Sequence, residues 1–256
     1  MTIQFASDLH LEFIENRNHL KKNPLVPRGD ILVIAGDAIY LGDRIMSQSS
    51  FFNWCSAHFS ETLIVPGNHE FYGGFDISET LDHFELMLRP NVRYLNNRSW
   101  RLGDVELFFT TLWPHYDSPI QKLNAEMIMN DYNYGVYMGK KYSALAANKV
   151  HDICTAWLGK ALSDSDATKK VVVSHHCPFI DPEKERYVGK TAAPSYMTDM
   201  EPFILEHQPD AWIHGHCHFV RSNAVMVGRT AIHSNPLGYT FDGESAAFDN
   251  EKTLSI

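Results

Sequence analysis

The stretch Ile31-Leu32-Val33-Ile34-Ala35-Gly36-Asp37 is apolar at its first five positions and stops at a glycine and an acid. A short run that is apolar throughout reads as a strand buried on both faces, the habit of parallel sheets. The same grammar recurs along the chain. Ile3 to Ser7 ends at Asp8-Leu9-His10, and Thr62 to Val65 ends at Pro66-Gly67-Asn68-His69-Glu70. Lys170 to Val173 leads into Ser174-His175-His176, and Ala211 to Ile213 leads into His214-Gly215-His216-Cys217-His218. Between the early strands, Ser49 to Phe59 and Ser78 to Leu88 carry helix-like apolar spacing, the second through Leu81, Phe84 and Leu88. Strand and helix therefore alternate, as in an open α/β sheet, and ligands of such sheets sit beyond the carboxyl ends of the strands. The polar runs fall there.

Further along, Val92 to Leu95 and Val105 to Thr111 read as strands, Tyr142 to Leu162 as a helix, and Ala224 to Val227 with Thr230 to Ser234 as a hairpin around Gly228-Arg229. Residues 113–141 are irregular and aromatic, with Trp113, Tyr116, Tyr132, Tyr134 and Tyr137. Such a stretch is read either as a cap or pocket-shaping insertion that contacts an organic substituent, or as an aromatic satellite core. No linker divides the 256 residues, so a single domain spanning 1–256 is expected. No secretory leader or membrane span is evident, which implies a soluble cytoplasmic protein. Cys55, Cys154, Cys177 and Cys217 fit neither a disulfide framework nor a zinc knuckle and are expected to be reduced. A formal charge of −9 argues against broad nucleic-acid binding. An acidic protein still accepts a phosphate where bound cations reverse the local field.

Taken alone, Asp8-Leu9-His10 or Gly67-Asn68 reads as a turn. The ordered set argues otherwise, because it offers Asp8, His10, Asp37, Asn68, His175, His216 and His218 as metal ligands. Seven candidates exceed the four that close a tetrahedral zinc site. Imidazole, carboxylate and amide together suit Mn, Fe or Zn. A carboxylate such as Asp37 can bridge two ions, and two ions about 3.5–4 Å apart form a clamp for in-line displacement at phosphorus. His216 and His218, two residues apart on a strand, would face one side, with Cys217 turned away as a small buried hydrophobe. His83, His151, His207, His214 and His233 read as structural or surface residues, Glu12 as a solvated loop carboxylate, and Asn235 as a turn residue before Pro236.

The order D-x-H, GD, GNH followed by Glu, a strand-terminal His and GH-x-H, running from residue 8 to residue 218, resembles the calcineurin-like metallophosphoesterase superfamily. The resemblance implies a four-layer α/β/β/α sandwich of two mixed sheets, with a dinuclear metal centre at the carboxyl ends of the central strands. It implies Asp8, His10 and His218 on one ion, Asn68, His175 and His216 on the other, and Asp37 between them. His176 competes with His175 at the fourth motif. Asn68 and His69 would face the substrate, His69 as general acid, while a metal-bridging hydroxide attacks phosphorus. Many relatives extend the second motif to GD-x-x-D-R-G, whose later Asp orients that histidine. Here Tyr40 stands in its place, which points away from the protein serine/threonine phosphatases. The expected activity is hydrolysis of a small phosphomonoester or phosphodiester. A nuclease on the same chemistry and a non-catalytic scaffold are the alternatives, and competent ligand types at all seven positions count against the scaffold.

Overall fold

The computed structural model describes residues 1–42, 49–219 and 223–256. Its first sheet begins with β1 (Thr2–Ala6), followed by helix α1 (Ile14–Lys22), β2 (Ile31–Ala35), helix α2 (Ser50–His58) and β3 (Thr62–Val65). Strands β1, β2 and β3 run parallel, with Ile3 opposite Ile31 and Leu32 opposite Thr62. β4 (Phe84–Arg89) and β5 (Val92–Asn96) form an antiparallel hairpin, β5 lying parallel to β3. The second sheet begins with the antiparallel pair β6 (Arg98–Leu102) and β7 (Val105–Thr110).

The chain then forms helices α3 (Pro119–Ile128) and α4 (Asp131–Tyr134), a small hairpin of β8 (Val136–Tyr137) and β9 (Lys140–Lys141), and the long helix α5 (Ala144–Asp164). β10 (Lys169–Ser174), helices α6 (Pro182–Val188) and α7 (Glu201–His207), and β11 (Ala211–His214) follow. β12 (Val225–Val227), β13 (Thr230–Ser234) and β14 (Thr253–Ser255) complete the two six-stranded sheets, ordered β14-β1-β2-β3-β5-β4 and β12-β13-β11-β10-β7-β6.

The alternation of side chains across each strand generates the layers. In β2, Ile31, Val33 and Ala35 point inward and meet Leu107, Phe109, Val171, Val173 and Ile213 of the other sheet, a dry sheet-to-sheet core. Leu32 and Ile34 point outward and join Phe52 and Cys55 of α2. On the far side Phe108, Val172 and Trp212 pack against Leu158, Leu162 and Ile204 of α5 and α7. The result is the α/β/β/α sandwich. The four cysteines are buried free thiols, and no helix among the described residues is long and apolar enough to cross a membrane.

Two expectations fail here. Residues 78–88 are not a helix: a short 3-10 turn at Ile77–Thr80 precedes β4. Phe84, Leu86 and Leu88 share one face at strand period and pack on the outer core that holds Phe52 and Cys55 of α2, so Phe84 and Leu88 satisfy both periodicities and β5 pairing decides. His83, at φ 45°, cannot continue a right-handed helix. Residues 113–141 are also more regular than expected. Ser118 and Gln121 make a reciprocal capping box with Pro119 in the first turn, a start signal present in the sequence.

Asn235 ties the chain ends to the sheet. Its Nδ2 donates to the carbonyls of Phe5 and Asp249, and its Oδ1 accepts from the Asp249 amide. It is 1% exposed, so Asn235→Leu leaves those backbone groups without partners. We expect a loss of about 1–3 kcal/mol in urea unfolding. A stability within about 0.5 kcal/mol of wild type would contradict this role.

Candidate metal centre

Each expected ligand sits one to four residues past the carboxyl end of a parallel strand, which brings residues from distant parts of the sequence to one edge of the two sheets. The turns are tight. Asp8, His10, Asp37, His216 and His218 have φ of 54°, 46°, 53°, 68° and 48°, in the left-handed region. Such conformations cost on the order of 1–3 kcal/mol each for non-glycine residues and persist where the surroundings over-determine them. The glycines have a different reason. A Cβ on Gly36, itself at φ 86°, would fall 2.2 Å from His175 Nδ1, and one on Gly67 2.1 Å from Asp37 Oδ1. Only glycine allows these loops to approach each other so closely.

Glu70 locks the two loops together. Its buried carboxylate accepts from the backbone amides of Asp37, Ala38, Ile39 and Gly67 and from the Tyr94 hydroxyl. Burial, with Asp37 nearby, pushes its carboxyl up to about 8, while the amides favour its charged form.

The imidazoles are oriented by their outer nitrogens. His175 Nδ1 donates to the Ala35 carbonyl at 2.9 Å, and His216 Nε2 to the Ser195 carbonyl at 3.1 Å. His10 Nδ1 donates to Glu12 Oε1 at 3.0 Å, and His218 Nδ1 to Glu244 Oε2 at 2.7 Å. A carbonyl or carboxylate oxygen can only accept, so in each neutral ring the inner nitrogen carries the lone pair. These inner nitrogens face one another. His175 Nε2 lies 2.9 Å from Asn68 Oδ1 and 3.2 Å from His216 Nδ1, and His10 Nε2 lies 3.1 Å from His218 Nε2. Asn68 cannot turn a donor inward, because its Nδ2 donates to Asp131 Oδ1 and the Tyr72 hydroxyl.

Lone pairs set against lone pairs repel unless a cation or a proton lies between them. With metal–ligand distances of roughly 2.0–2.1 Å, neighbouring ligands are about 2.9 Å apart in an octahedron and about 3.4 Å apart in a tetrahedron. The donor set therefore fits metal ions. Asp8, His10, Asp37 and His218 form one group with ligand atoms within 4.8 Å of one another, and Asp37, His175 and His216 a second. Asp37 reaches both, with Oδ2 3.8 Å from His10 Nε2 and Oδ1 3.4 Å from His175 Nε2.

Several expectations change at this point. His216 and His218 do not share a strand face. β11 ends at His214, and the left-handed turns send His216 to His175 and His218 to His10 and Asp8. His176 turns to the Thr111 carbonyl, leaving the junction to His175. Cys217 packs with Cys177 and Met197. Glu12 is not solvated: its side chain is 5% exposed, and Oε1 joins His10 Nδ1 to His69 Nδ1, the latter at 2.8 Å. It occupies the orienting role that Tyr40 cannot fill. The run Asp8-Leu9-His10-Leu11-Glu12 held a signal for it, an acid two residues beyond a ligand, whereas Asp131, Tyr239 and Glu244 have no local signature.

Asp37, Asn68, His69, His216 and His218 line a cavity of about 260 Å³ with Tyr72, Lys184, Tyr196, Tyr239 and Glu244. Residues 113–141 reach it through Ile128, Met129 and Asn130, while Trp113, Tyr116 and Tyr132 are buried in the core. Tyr116 and Tyr132 are thus packing residues, Tyr134 is exposed with its ring 5.4 Å from that of Tyr72, and neighbouring residues shape the wall.

A family model described as calcineurin-like phosphoesterase matches residues 1–219. An uncharacterized protein of Acanthamoeba polyphaga mimivirus is 27% identical over 273 residues, covering 94% of this chain and 92% of its own. The crystal structure of the phosphopantetheinyl hydrolase of Mycobacterium tuberculosis superposes with a TM-score of 0.70 at 16% identity, covering 96% of this chain and 92% of that one. A Thermus thermophilus crystal structure gives a TM-score of 0.50 at 14% identity over 92% of this chain and 88% of its own. At these identities the two structures speak for the shared fold.

Without ions, protons separate the inner nitrogens. Burial pulls His175 down, but Asp37 and Asp8 outweigh it and hold the ring up to about 9. Burial likewise opposes Asp8 and Glu244 at His218, which rises to about 10. Ion binding must displace those protons, so apparent Mn(II) affinity should rise with pH over roughly pH 6–9. Calorimetric heats should also depend on the buffer's ionisation enthalpy. An affinity independent of pH in that range would contradict this reading.

Proposed function

The chain belongs to the calcineurin-like phosphoesterases, and from that premise we propose that it hydrolyses small phosphomonoesters or phosphodiesters, with residues 1–256 acting as one unit. Asp8, His10 and His218 would hold one transition-metal ion, and Asn68, His175 and His216 a second, with Asp37 shared. One observation carries this: the inner donors face one another at 2.9–3.2 Å while the outer N–H groups are all engaged elsewhere. Ions held there would supply an activated water and neutralise charge on the phosphoryl group.

The remaining work falls to the protein. Asn68 and His69 face the cavity at the base of the site. Glu12 fixes the His69 ring through Nδ1, which leaves Nε2, 3.1 Å from the Tyr239 hydroxyl, as the atom presented to a leaving oxygen. Burial opposes protonation of His69, but Asp37 and Glu12 outweigh it and raise its pKa above the ordinary value. A protonated ring suits a general acid: the P–O bond to the leaving group breaks, and the Nε2 proton passes to that oxygen. The cavity accommodates a phosphate and a modest substituent, and the chain's net charge of −9 favours a small ester over a nucleic acid.

The test is to strip the protein with chelator, restore Mn, Fe or Zn, and assay an aryl phosphate, a bis-aryl phosphodiester, a nucleotide and a phosphopantetheinyl ester. The last is the group named for the Mycobacterium relative. Turnover should require metal and should be abolished by Asn68→Ala. No metal-dependent hydrolysis of any of the four would reject the proposal.

His69→Asn separates the acid role from ligation. We expect kcat on an alkyl phosphate to fall roughly 10²–10⁴-fold, with a much smaller loss on a nitrophenyl ester, whose leaving group needs no proton. Metal stoichiometry should not change. Equal losses on both substrates would remove His69 from the acid role.

A further inference from the structure

Asn68 is held from behind in the way the four imidazoles are. One Nδ2 hydrogen goes to Asp131 Oδ1 at 2.7 Å and the other to the Tyr72 hydroxyl at 2.8 Å, and that hydroxyl donates to the same Asp131 oxygen at 2.5 Å. The three groups form a closed ring behind Oδ1. Asp131 is 1% exposed, and its Oδ2 is buried with no hydrogen-bond partner. A carboxylate kept in that condition is expensive for stability and calls for a reason outside it.

We propose that Asp131 is a positioning residue of the metal centre, supplied by the 113–141 segment, which fixes the Asn68 amide with Oδ1 toward His175 and His216 and strengthens that oxygen as a ligand. The proposal rests on the reading of Asn68 as a ligand. Two physical effects carry it. An amide can present oxygen or nitrogen on either side, and a carboxylate opposite Nδ2 permits only one orientation. A hydrogen bond from an amide N–H to a carboxylate also shifts electron density onto the amide oxygen, as a carboxylate behind a ligating histidine raises its basicity.

Asp131 is itself firmly placed. The next residue, Tyr132, is buried, bonds the Tyr116 hydroxyl at 2.7 Å and stacks on Tyr142 with ring centroids 5.6 Å apart. The insertion therefore delivers a ligand support, and only the site containing Asn68 depends on it. Asp8, His10 and His218 are held by Glu12, Glu244 and their own loops.

The experiment is calorimetric titration of the metal-free full chain with Mn(II), comparing wild type, Asp131→Ala, Asp131→Asn, Tyr72→Phe and Asn68→Ala, with thermal unfolding recorded beside each. Asp131→Ala should weaken one of two sites about 10–100-fold, the same site that Asn68→Ala weakens, and leave the other within about threefold. Asp131→Asn, which keeps an acceptor oxygen without the charge, should recover only part of the loss and leave that same site measurably weaker than in wild type. It also carries the test if the alanine variant does not fold. Tyr72→Phe should fall between wild type and Asp131→Ala. Two unchanged sites in the variants, or equal weakening of both sites in step with a lower Tm, would overturn the proposal. Wild type that binds no Mn(II) would overturn it together with the ligand reading. Site-selective loss in a protein that hydrolyses none of the test esters would support it while rejecting the proposed activity.

Discussion

The structure depends on a cluster of acceptors pointed at one another. At the edge of the sheets, Asn68 Oδ1, His175 Nε2, His216 Nδ1, His10 Nε2 and His218 Nε2 turn inward, with the carboxylates of Asp8 and Asp37 among them. No rearrangement of the side chains relieves this, because every outer group is already bonded to an acceptor. The neighbouring carboxylates lift His175 to about 9 and His218 to about 10, and the protons those rings then hold stand in for cations. A histidine cluster kept for stability would alternate donors and acceptors. This one does so only while His175 and His218 carry those two protons.

The backbone is strained in the same place. Five of the seven inward residues adopt left-handed φ, and Gly36 and Gly67 lie closer to the His175 and Asp37 side chains than any other residue could. Strain of this kind survives because the sheets beneath are rigid. The parallel strands β1, β2 and β3 are buried on both sides, and Glu70 binds the loops after β2 and β3 through four backbone amides. Rigidity below and strain above belong to one construction, in which the core fixes where each loop begins and the loop fixes where its ligand points.

The strands and the polar residues that gather beyond them were legible in the sequence because each is a local signal. Ile31–Ala35 is apolar throughout and Thr62–Val65 apolar after its first residue, and both form strands with those bounds. The candidate ligands Asp37 and Asn68 follow at once. What stayed hidden is held by contacts across long separations. Glu12 reaches His69 over 57 positions, Asp131 reaches Asn68 over 63, and Tyr239 reaches His69 over 170. No spacing rule joins such pairs. The error at Phe84 to Leu88 has a different origin, since its periodicity served helix and strand equally and only pairing with β5 settled it. The His216-x-His218 spacing misled because it assumed strand geometry beyond β11, where the chain has already turned.

The packing of residues 113–141 bears on the shape of the cavity they line. A lid that opens needs a hinge and a weakly packed underside. Here the underside is core: Trp113, Tyr116, Tyr132 and Tyr142 are each at most 2% exposed and pack with Phe71, Ile77 and the helix α5 residues Ala147, Val150 and Cys154. The far end is pinned where Asp76 accepts from the amides of Met138 and Gly139. Exposing four such rings at roughly 1.5–3 kcal/mol each would consume much of the 5–15 kcal/mol that holds a typical domain together. Opening the segment is then hard to separate from unfolding. Ile128, Met129 and Asn130 line the cavity from a segment anchored in the core, so the cavity is a preformed pocket rather than one that closes around its contents.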